Sequence, residues 1–242
     1  MRIIRESLKP LIRIRKRLLG GVLMERPNRF TVLARIAGKE VRAYLPNPGK
    51  LSYLKKGTDL LLFEAARRGR KLPYEVFLAY DGTVPVIVDS RLANRVFKEC
   101  LIRGYLPEFS KCVIEKETTI QGRRIDFSLQ CENGTFYVEV KSCTYVDQGV
   151  AKFPDRPTER GRQHLSLLMG LRSSGYDSYV VFVIERPDAE VFSPFREVDP
   201  EFFDVFSDAL RAGVQAMAIS TFFDRDTKTV YLKKRVPISI LP

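Results

Sequence analysis

Asp126, Glu139 and Lys141 have the residue types and the spacing of a site that could do chemistry. Residues 123–129 and 136–142 alternate apolar with polar side chains, which predicts two β-strands. Between the strands lies an Asn-Gly pair, a strong hairpin signal, so pairing of the strands is expected to bring the three side chains together. Two carboxylates can hold Mg²⁺ or Mn²⁺, and a lysine beside them can orient or deprotonate a water. This is the apparatus of metal-dependent phosphodiester cleavage.

The face on which each of these side chains lies follows from the period-two alternation of a strand. Glu139 and Lys141 are expected on one face, and Asp126 is expected to point away from the face of Ile125 and Phe127. The alternative is an ordinary solvated sheet face, on which charged residues alternate with valines. Asp is depleted in apolar strands, so its presence here, the hairpin spacing and the helices predicted on either side favour a site.

The elements that must position these residues form a predicted second domain, residues 89–242. From residue 90 onward their order is α-β-β-β-α-β-α-β, which indicates a mixed α/β sheet with helices on both faces. Ser90 is the expected N-cap of the first helix, which runs to about Arg103. Glu99 borders the apolar stripe of this helix. It is either a third acidic ligand at the sheet edge or an ordinary surface glutamate.

The second helix of this domain follows a loop and is expected to begin at an N-cap, Thr158. Arg160 and His164 lie within its first two turns. Near a carboxylate site they would contact DNA or a metal-bound water; otherwise His164 is simply a satisfied partner inside the fold. A third helix is expected after Asp199, which is a suitable N-cap before a proline.

Residues 1–88 are predicted to form a small barrel of the OB type, because five or six short strands are joined by turns with no long helix. Residues 46–51, P-N-P-G-K-L, fit a type II turn. That turn would present Asn47 and Lys50 on a rigid loop. It is either only a tight turn or a phosphate contact.

The net charge of +12 is concentrated at the N-terminal end. Residues 1–90 hold 19 Lys and Arg against 8 Asp and Glu, whereas residues 91–242 hold 22 against 21. A concentrated positive field attracts polyphosphate backbones. Arg13, Arg15, Arg17 and the loop residue Arg68 are therefore candidate DNA contacts. A generically basic surface, or attraction to an anionic membrane surface, is the alternative.

Composition limits the classes of protein. No apolar run approaches the ~20 residues that span a bilayer, and the basic N-terminus lacks the apolar segment of a signal peptide. A cytoplasmic protein is expected. The single histidine argues against a His-rich metal site. The cysteines are widely spaced and predict buried free thiols rather than a zinc site or a disulfide framework. They are Cys100, Cys112, Cys131 and Cys143.

The order of elements, with D…E-x-K on the second and third strands, resembles the PD-(D/E)xK nuclease superfamily. A closer resemblance, over essentially the whole chain, is to the sugar fermentation stimulation protein family. It is carried by residues 46–51, 93–95, 124–127, 137–142 and 153–165. The P-N-T-G pattern of that family stands here as P-N-P-G, in which proline preserves the turn and a hydroxyl is lost.

The resemblance implies an OB-like domain joined to a PD-(D/E)xK-like domain. It also implies DNA binding largely without sequence preference and a regulatory role in sugar, maltose-type, utilisation. Carried over residue by residue, Asp126 and Glu139 would ligate Mg²⁺ or Mn²⁺, and Lys141 would be the catalytic lysine. Glu99 would be the further acidic residue that some superfamily members supply from the first helix.

Three hypotheses follow for function. The first is a DNA-binding protein with a metal-dependent nuclease site, and the second is a non-catalytic DNA-binding regulator on a nuclease-like scaffold. The third is an enzyme acting on a small phosphorylated or nucleotide substrate. The spread of positive charge disfavours the third, because a small ligand needs only a local patch.

Overall fold

The computed structural model describes residues 8–65, 72–120 and 122–240. Arg68 lies outside the described residues. In chain order the elements are β1 (Lys9–Arg13), β2 (Leu19–Asn28), β3 (Thr31–Ile36), β4 (Lys39–Tyr44), β5 (Asp59–Glu64), β6 (Tyr74–Asp81), β7 (Val84–Ile87), α1 (Leu92–Ile102), a short 3-10 helix (Pro107–Phe109), β8 (Val113–Ile120), β9 (Arg123–Cys131), β10 (Gly134–Cys143), β11 (Tyr145–Asp147), β12 (Val150–Phe153), α2 (Glu159–Ser173), β13 (Asp177–Ile184), β14 (Val191–Pro194), α3 (Pro200–Arg211), β15 (Gln215–Asp224) and β16 (Thr229–Val236).

Strands β2 to β6 close into a barrel. The chain of pairs runs β4-β3-β2-β5-β6, and a parallel pairing of β4 with β6 completes the ring, with β7 added beside β6. Alternate side chains such as Leu23, Val32 and Leu62 fill the interior of the barrel and are at most 2% exposed. The predicted OB-like barrel is confirmed.

The first described strand is not part of this barrel. β1 pairs antiparallel with β16, so that Lys9 lies opposite Leu232 at the edge of the second sheet. Leu11 and Ile12 are buried in the core of that second sheet. The expected first domain of residues 1–88 therefore differs from the structure in this strand. The physical reason is that β1 covers the otherwise open edge of β16 and buries two apolar side chains there.

The second domain is a seven-stranded mixed sheet in the order β1-β16-β15-β13-β10-β9-β8. β10, β13 and β15 are parallel, and their neighbours at either side are antiparallel. Helix α1 packs on one face, with Val181 beneath it, while α2 and α3 pack on the other, over Val180 and Phe182. The predicted mixed sheet with helices on both faces is confirmed. A small sheet of β11, β12 and β14 was not predicted.

Two of the three predicted helix caps are present. The Thr158 hydroxyl accepts the Gly161 N–H at 3.1 Å at the start of α2, and Asp199 accepts the Phe202 N–H at 2.9 Å at the start of α3. The Ser90 cap of α1 was wrong. That hydroxyl donates instead to the Pro46 carbonyl at 2.8 Å, which ties the start of the helix to the barrel.

The prediction of four free thiols was wrong for two of them. Cys112 and Cys131 form a disulfide between β8 and β9. The antiparallel register that sets Val113 opposite Gln130 also sets the two cysteines opposite each other. Their separation in sequence cannot show this. Cys100 and Cys143 are free and buried, and burial raises the pKa of both thiols.

Within the described ranges, no helix is long and apolar enough to cross a membrane.

Candidate active site

The site begins where strands β9 and β10 stop pairing. Their hairpin register runs from Cys131 opposite Gly134 to Phe127 opposite Val138. One residue beyond the last pair, Asp126 Oδ2 accepts the Val140 N–H at 2.9 Å. The carboxylate thus takes the place of a backbone acceptor, because a buried N–H needs a partner once the ladder has ended. The end of the β9–β10 pairing therefore leaves the Asp126 carboxylate beside β10.

The alternation expected around Asp126 fails in one respect. Ile125 packs with α2 and α3, whereas Phe127 packs on the opposite face of the sheet, with α1. The two residues do not share a face as predicted. The strands stop pairing at this point, so the regular pleat that the prediction assumed is interrupted between them.

Glu139, Lys141 and His164 form a compact cluster on the α2 side of β10. The Lys141 ammonium donates to Glu139 Oε1 at 2.6 Å and lies 3.1 Å from His164 Nδ1. His164 Nδ1 also contacts the same Glu139 oxygen. As the alternation predicts, Glu139 and Lys141 share a face. His164 is brought to the site by α2 and lies in contact with both.

The surroundings act differently on the two carboxylates. Burial raises the pKa of Asp126, and the neighbouring Glu139 charge adds to the effect. Burial alone would also raise the pKa of Glu139, but the charges and hydrogen bonds of Lys141 and His164 outweigh it and hold that pKa below its ordinary value. The pair therefore contains one carboxylate held ionised by cationic partners and one that favours a proton or a cation.

Helix α1 supplies Asn94 to the site, not Glu99. Asn94 Nδ2 donates to Asp126 Oδ1 at 2.9 Å, so both oxygens of that carboxylate are fixed. Glu99 lies five residues further, about 140° around the helix. It pairs with Arg103 at 3.2 Å. Residues 93–95 contributed to the family resemblance, but nothing in the sequence indicated that Asn94 contacts Asp126.

Within the described chain, no three His, Cys, Asp or Glu side chains cluster as a metal site. The two carboxylates nevertheless fit Mg²⁺ or Mn²⁺. Such hard cations take oxygen ligands, and Mg²⁺ is usually held by one or two carboxylates with waters and substrate phosphates completing its shell. Asp126 and Glu139 are the residues that would hold the ion.

Two basic side chains lie at the rim of this site. Arg160 is exposed in the first turn of α2, and its Nε lies 3.4 Å from His164 Nε2. Arg123, at the start of β9, donates to the Gln163 carbonyl at 3.3 Å. The structure places His164 against Glu139 and Arg160 against His164. Their predicted contacts with DNA or a metal-bound water stay predictions.

The P-N-P-G-K-L turn joins the two domains. Asn47 is buried and accepts the Gly49 N–H at 2.8 Å, so it shapes the turn and is not available as the predicted DNA contact. Asp155, just before α2, accepts the Leu51 N–H at 3.1 Å. Lys50, the other predicted contact in the turn, is exposed.

Two arginines, one from each domain, donate hydrogen bonds to carbonyls of this turn. Arg156 donates to the Pro48 carbonyl at 3.0 Å, and Arg26 of the barrel donates to the Gly49 carbonyl at 2.7 Å. A Cβ at Gly49 would lie only 2.6 Å from Asp155 Oδ2, so the turn needs glycine at this position. The barrel thereby holds the segment that leads into α2 and its His164.

The remaining predicted contacts, Arg13, Arg15 and Arg17, are exposed. The first two line a cavity beside α1 together with Arg91 and Arg95. None of the residues of the carboxylate pair lines that cavity.

Known families and proteins match both parts of the chain. A family model described as "Sugar fermentation stimulation protein RE domain" matches residues 91–227, and one described as "SfsA N-terminal OB domain" matches residues 24–88. The chain belongs to the sugar fermentation stimulation protein family. A sugar fermentation stimulation protein homolog of Desulforamulus reducens is 38% identical over 92% of this chain and 93% of that protein. A homolog of Methanothermobacter thermautotrophicus is 38% identical over 91% and 93%.

A solved structure extends the similarity to the fold of the whole chain. SfsA of Pyrococcus furiosus, in complex with Ca²⁺, matches with a TM-score of 0.88 at 27% sequence identity. The match covers 96% of this chain and 99% of that one. The predicted family is therefore confirmed by sequence, and the architecture by structure.

Proposed function

We propose that this protein binds DNA largely without sequence preference and cleaves it with a metal-dependent nuclease site. The observation that carries the proposal is the buried cluster at the point where β9 and β10 stop pairing. Asp126, Glu139 and Lys141 are all present there, and each carboxylate is fixed by specific hydrogen bonds. A site kept only as scaffold would not need three ionisable groups at this depth, because their burial is costly.

Each side chain has a definite part in the proposed reaction. A bound Mg²⁺ or Mn²⁺ supplies Lewis acidity and an activated water. Asp126 and Glu139 hold that ion through their oxygens, and Asn94 keeps Asp126 oriented. Lys141 orients the attacking water and stabilises negative charge that develops on the phosphate. Arg160, at the rim, holds a neighbouring phosphate.

Three further observations support the proposal. The barrel is of a type that often binds nucleic acid. The excess positive charge lies in the first 90 residues, which favours a polyanionic partner. The Pyrococcus furiosus relative was solved with Ca²⁺, a hard divalent cation that takes oxygen ligands as Mg²⁺ does. With DNA as the partner, the proposal places the protein in the cytoplasm.

A gel assay tests this function. Labelled single- and double-stranded DNA are incubated with the protein in Mg²⁺, in Mn²⁺ and in EDTA, beside Asp126→Ala. We expect cleavage only with metal and only by the wild-type protein. DNA that is retarded but uncut in every lane would instead support the second candidate, a non-catalytic DNA-binding regulator of sugar metabolism.

A further inference from the structure

The cavity that Arg13 and Arg15 line has a volume of about 640 Å³ and lies beside the start of α1. Its walls come from three parts of the fold. The first is the end of β1 with the residues that follow it (Arg13–Lys16), and the second is β5 and β6 of the barrel (Phe63, Glu75 and Phe77). The third is the start of α1 with the residues before it (Asp89, Arg91, Leu92 and Arg95). The cavity is thus formed jointly by the barrel and the mixed sheet. Nothing in the carboxylate site uses it.

Most of the cations around this cavity lack acidic partners. Arg13, Arg15 and Arg95 are exposed and form no ion pair within the described part of the chain. Lys16 lies over the Phe63 ring, with its Nζ 5.0 Å from the ring centre. Four cationic side chains therefore line one space without an ion-pair partner among the described residues.

The two carboxylates in the wall are already used by a fifth cation. Arg91 Nε donates to Asp89 Oδ1 at 2.6 Å, and its Nη2 donates to Asp89 Oδ2 at 2.7 Å and contacts Glu75. The two hydrogen bonds that Arg91 donates to Asp89 raise the pKa of Arg91, and Glu75 adds to this. Asp89 and Glu75 thereby fix the Arg91 guanidinium, and the five cations and two carboxylates of the lining leave a formal charge of +3 around the cavity.

Like charges around a common space repel one another, and an anion that enters the space relieves that repulsion. The floor is made by Phe63 and Phe77, whose rings are almost wholly covered at 6% and 1% exposure. These rings offer little face for stacking a base. The wall therefore favours an ionic contact with a phosphate group over stacking with a base.

We propose that this cavity binds a phosphate group of a nucleic-acid strand, at a place distinct from the carboxylate pair. The identity of the polymer rests on the proposed function. The position fits a substrate that reaches both places, because Arg95 lines the cavity and its neighbour Asn94 bonds Asp126. One strand held here by its phosphate would be anchored beside the helix that orients the candidate metal ligand.

The test is the salt dependence of DNA binding, measured in EDTA so that no cleavage occurs. A triple variant, Arg13→Gln with Arg15→Gln and Arg95→Gln, removes three unpaired cations of the cavity. A matched control, Lys39→Gln with Lys55→Gln and Lys56→Gln, removes three exposed charges of the barrel that do not line this cavity. Binding of a fluorescent 15-nucleotide oligothymidylate is followed by anisotropy over a range of salt concentrations.

We expect the cavity variant to lose roughly 0.7 units of the slope of log K against log salt concentration, which is the amount that one phosphate contact with a single strand contributes. The control variant should keep nearly the whole slope. Equal losses in the two variants would mean that only net charge matters and would overturn the proposal, as would an unchanged slope in the cavity variant. Circular dichroism checks that both variants are folded.

A second probe distinguishes an internal phosphodiester from a terminal or free monoester. Thymidine 5′-monophosphate is titrated calorimetrically into the wild-type protein and the cavity variant. If the wild type gives binding heat and the cavity variant does not, the cavity binds a phosphate monoester. If the wild type gives no heat and the cavity variant has a reduced slope with DNA, the cavity binds an internal phosphodiester. The slope is measured in EDTA and does not depend on cleavage. Absence of cleavage by the wild type would therefore defeat the nuclease proposal and leave this one standing.

Discussion

The carboxylate site of the mixed sheet and the cavity beside α1 both contain charged side chains, but they differ in burial and in pairing. At the first, Glu139 is 3% exposed and shares its charge with Lys141 and His164. At the second, Arg13, Arg15 and Arg95 are exposed and unpaired within the described residues. One helix, α1, borders both places.

The difference follows from the cost of burying charge. A buried ion is tolerated only when it is paired and hydrogen-bonded, so a buried charged cluster has a fixed geometry. Exposed cations remain hydrated and are stable without a partner, so they stay free to bind a polyanion. A fixed geometry suits chemistry at one bond, whereas a hydrated field suits capture of a long substrate. Under the proposed function, the protein carries out these two tasks at separate places.

The largest effect is expected when the paired cluster loses its cation. Lys141→Ala should lower the single-turnover rate of DNA cleavage on the order of 10²–10³-fold, because the charge that faces the reacting phosphate is removed. DNA affinity in EDTA should stay the same. Lys111→Ala, an exposed lysine on the far hairpin, is the matched control. An equal fall in both variants would contradict the assignment.

A smaller effect is expected from the residue that orients Asp126. Asn94→Ala removes one hydrogen bond to the carboxylate and leaves the bond from the Val140 N–H. Loss of such an orienting partner typically lowers metal affinity or activity roughly 10–100-fold. The cleavage rate at several Mg²⁺ concentrations measures it. Glu99→Ala, on another face of α1, should change little, and the reverse order of effects would restore Glu99 as the ligand.

The connection between the barrel and the mixed-sheet domain can be broken at Gly49. In Gly49→Ala the new Cβ would press on Asp155 Oδ2, and overpacking of this kind costs about 1–3 kcal/mol in the free energy of unfolding. Urea denaturation measures the cost. Gly20→Ala is the control, because a Cβ there meets nothing within 4 Å. Equal stability of the two variants would show that the turn does not hold the domains together.

Glu185 tests the rule that buried charges are paired. It is fully buried, and neither of its carboxylate oxygens has a hydrogen-bond partner within the described residues. Burial raises its pKa well above the ordinary value, and the nearby Asp89 adds to this. The folded protein thus keeps a proton that the unfolded chain releases. This contribution is fully present below the unfolded pKa and is lost as pH rises through the folded pKa.

Glu185→Gln should therefore become more stable relative to the wild type as pH rises through that window, by at most about 1.4 kcal/mol per pH unit. Urea denaturation at a series of pH values measures the difference. Glu132→Gln, in the exposed hairpin turn, is the control and should show no such rise. A difference between Glu185→Gln and the wild type that stays constant with pH would mean that the Glu185 carboxyl is not held protonated.

Local signals in the sequence predicted what depends on neighbouring residues. The β9–β10 hairpin, the caps at Thr158 and Asp199 and the alternation of Glu139 with Lys141 all follow from patterns within a few residues. The closed barrel and mixed sheet also follow from the order of such elements.

Features that depend on distant partners were not predictable. The pairing of Lys9 with Leu232 joins opposite ends of the chain, and nothing local to either strand indicates it. The disulfide depends on the register of two strands, and the role of Asn94 depends on how α1 is rotated against the sheet. Asn47 was predicted as a DNA contact because the turn type alone does not show that its side chain is buried and accepts the Gly49 N–H.

The most direct test of this separation measures cleavage and binding on the same two variants. Asp126→Ala and the triple cavity variant are compared with the wild type, for cleavage in Mg²⁺ at saturating protein and for DNA affinity in EDTA. The account predicts that Asp126→Ala binds normally and does not cut, and that the cavity variant binds weakly at moderate salt yet cuts when saturated. Equal loss of both properties in both variants would contradict it.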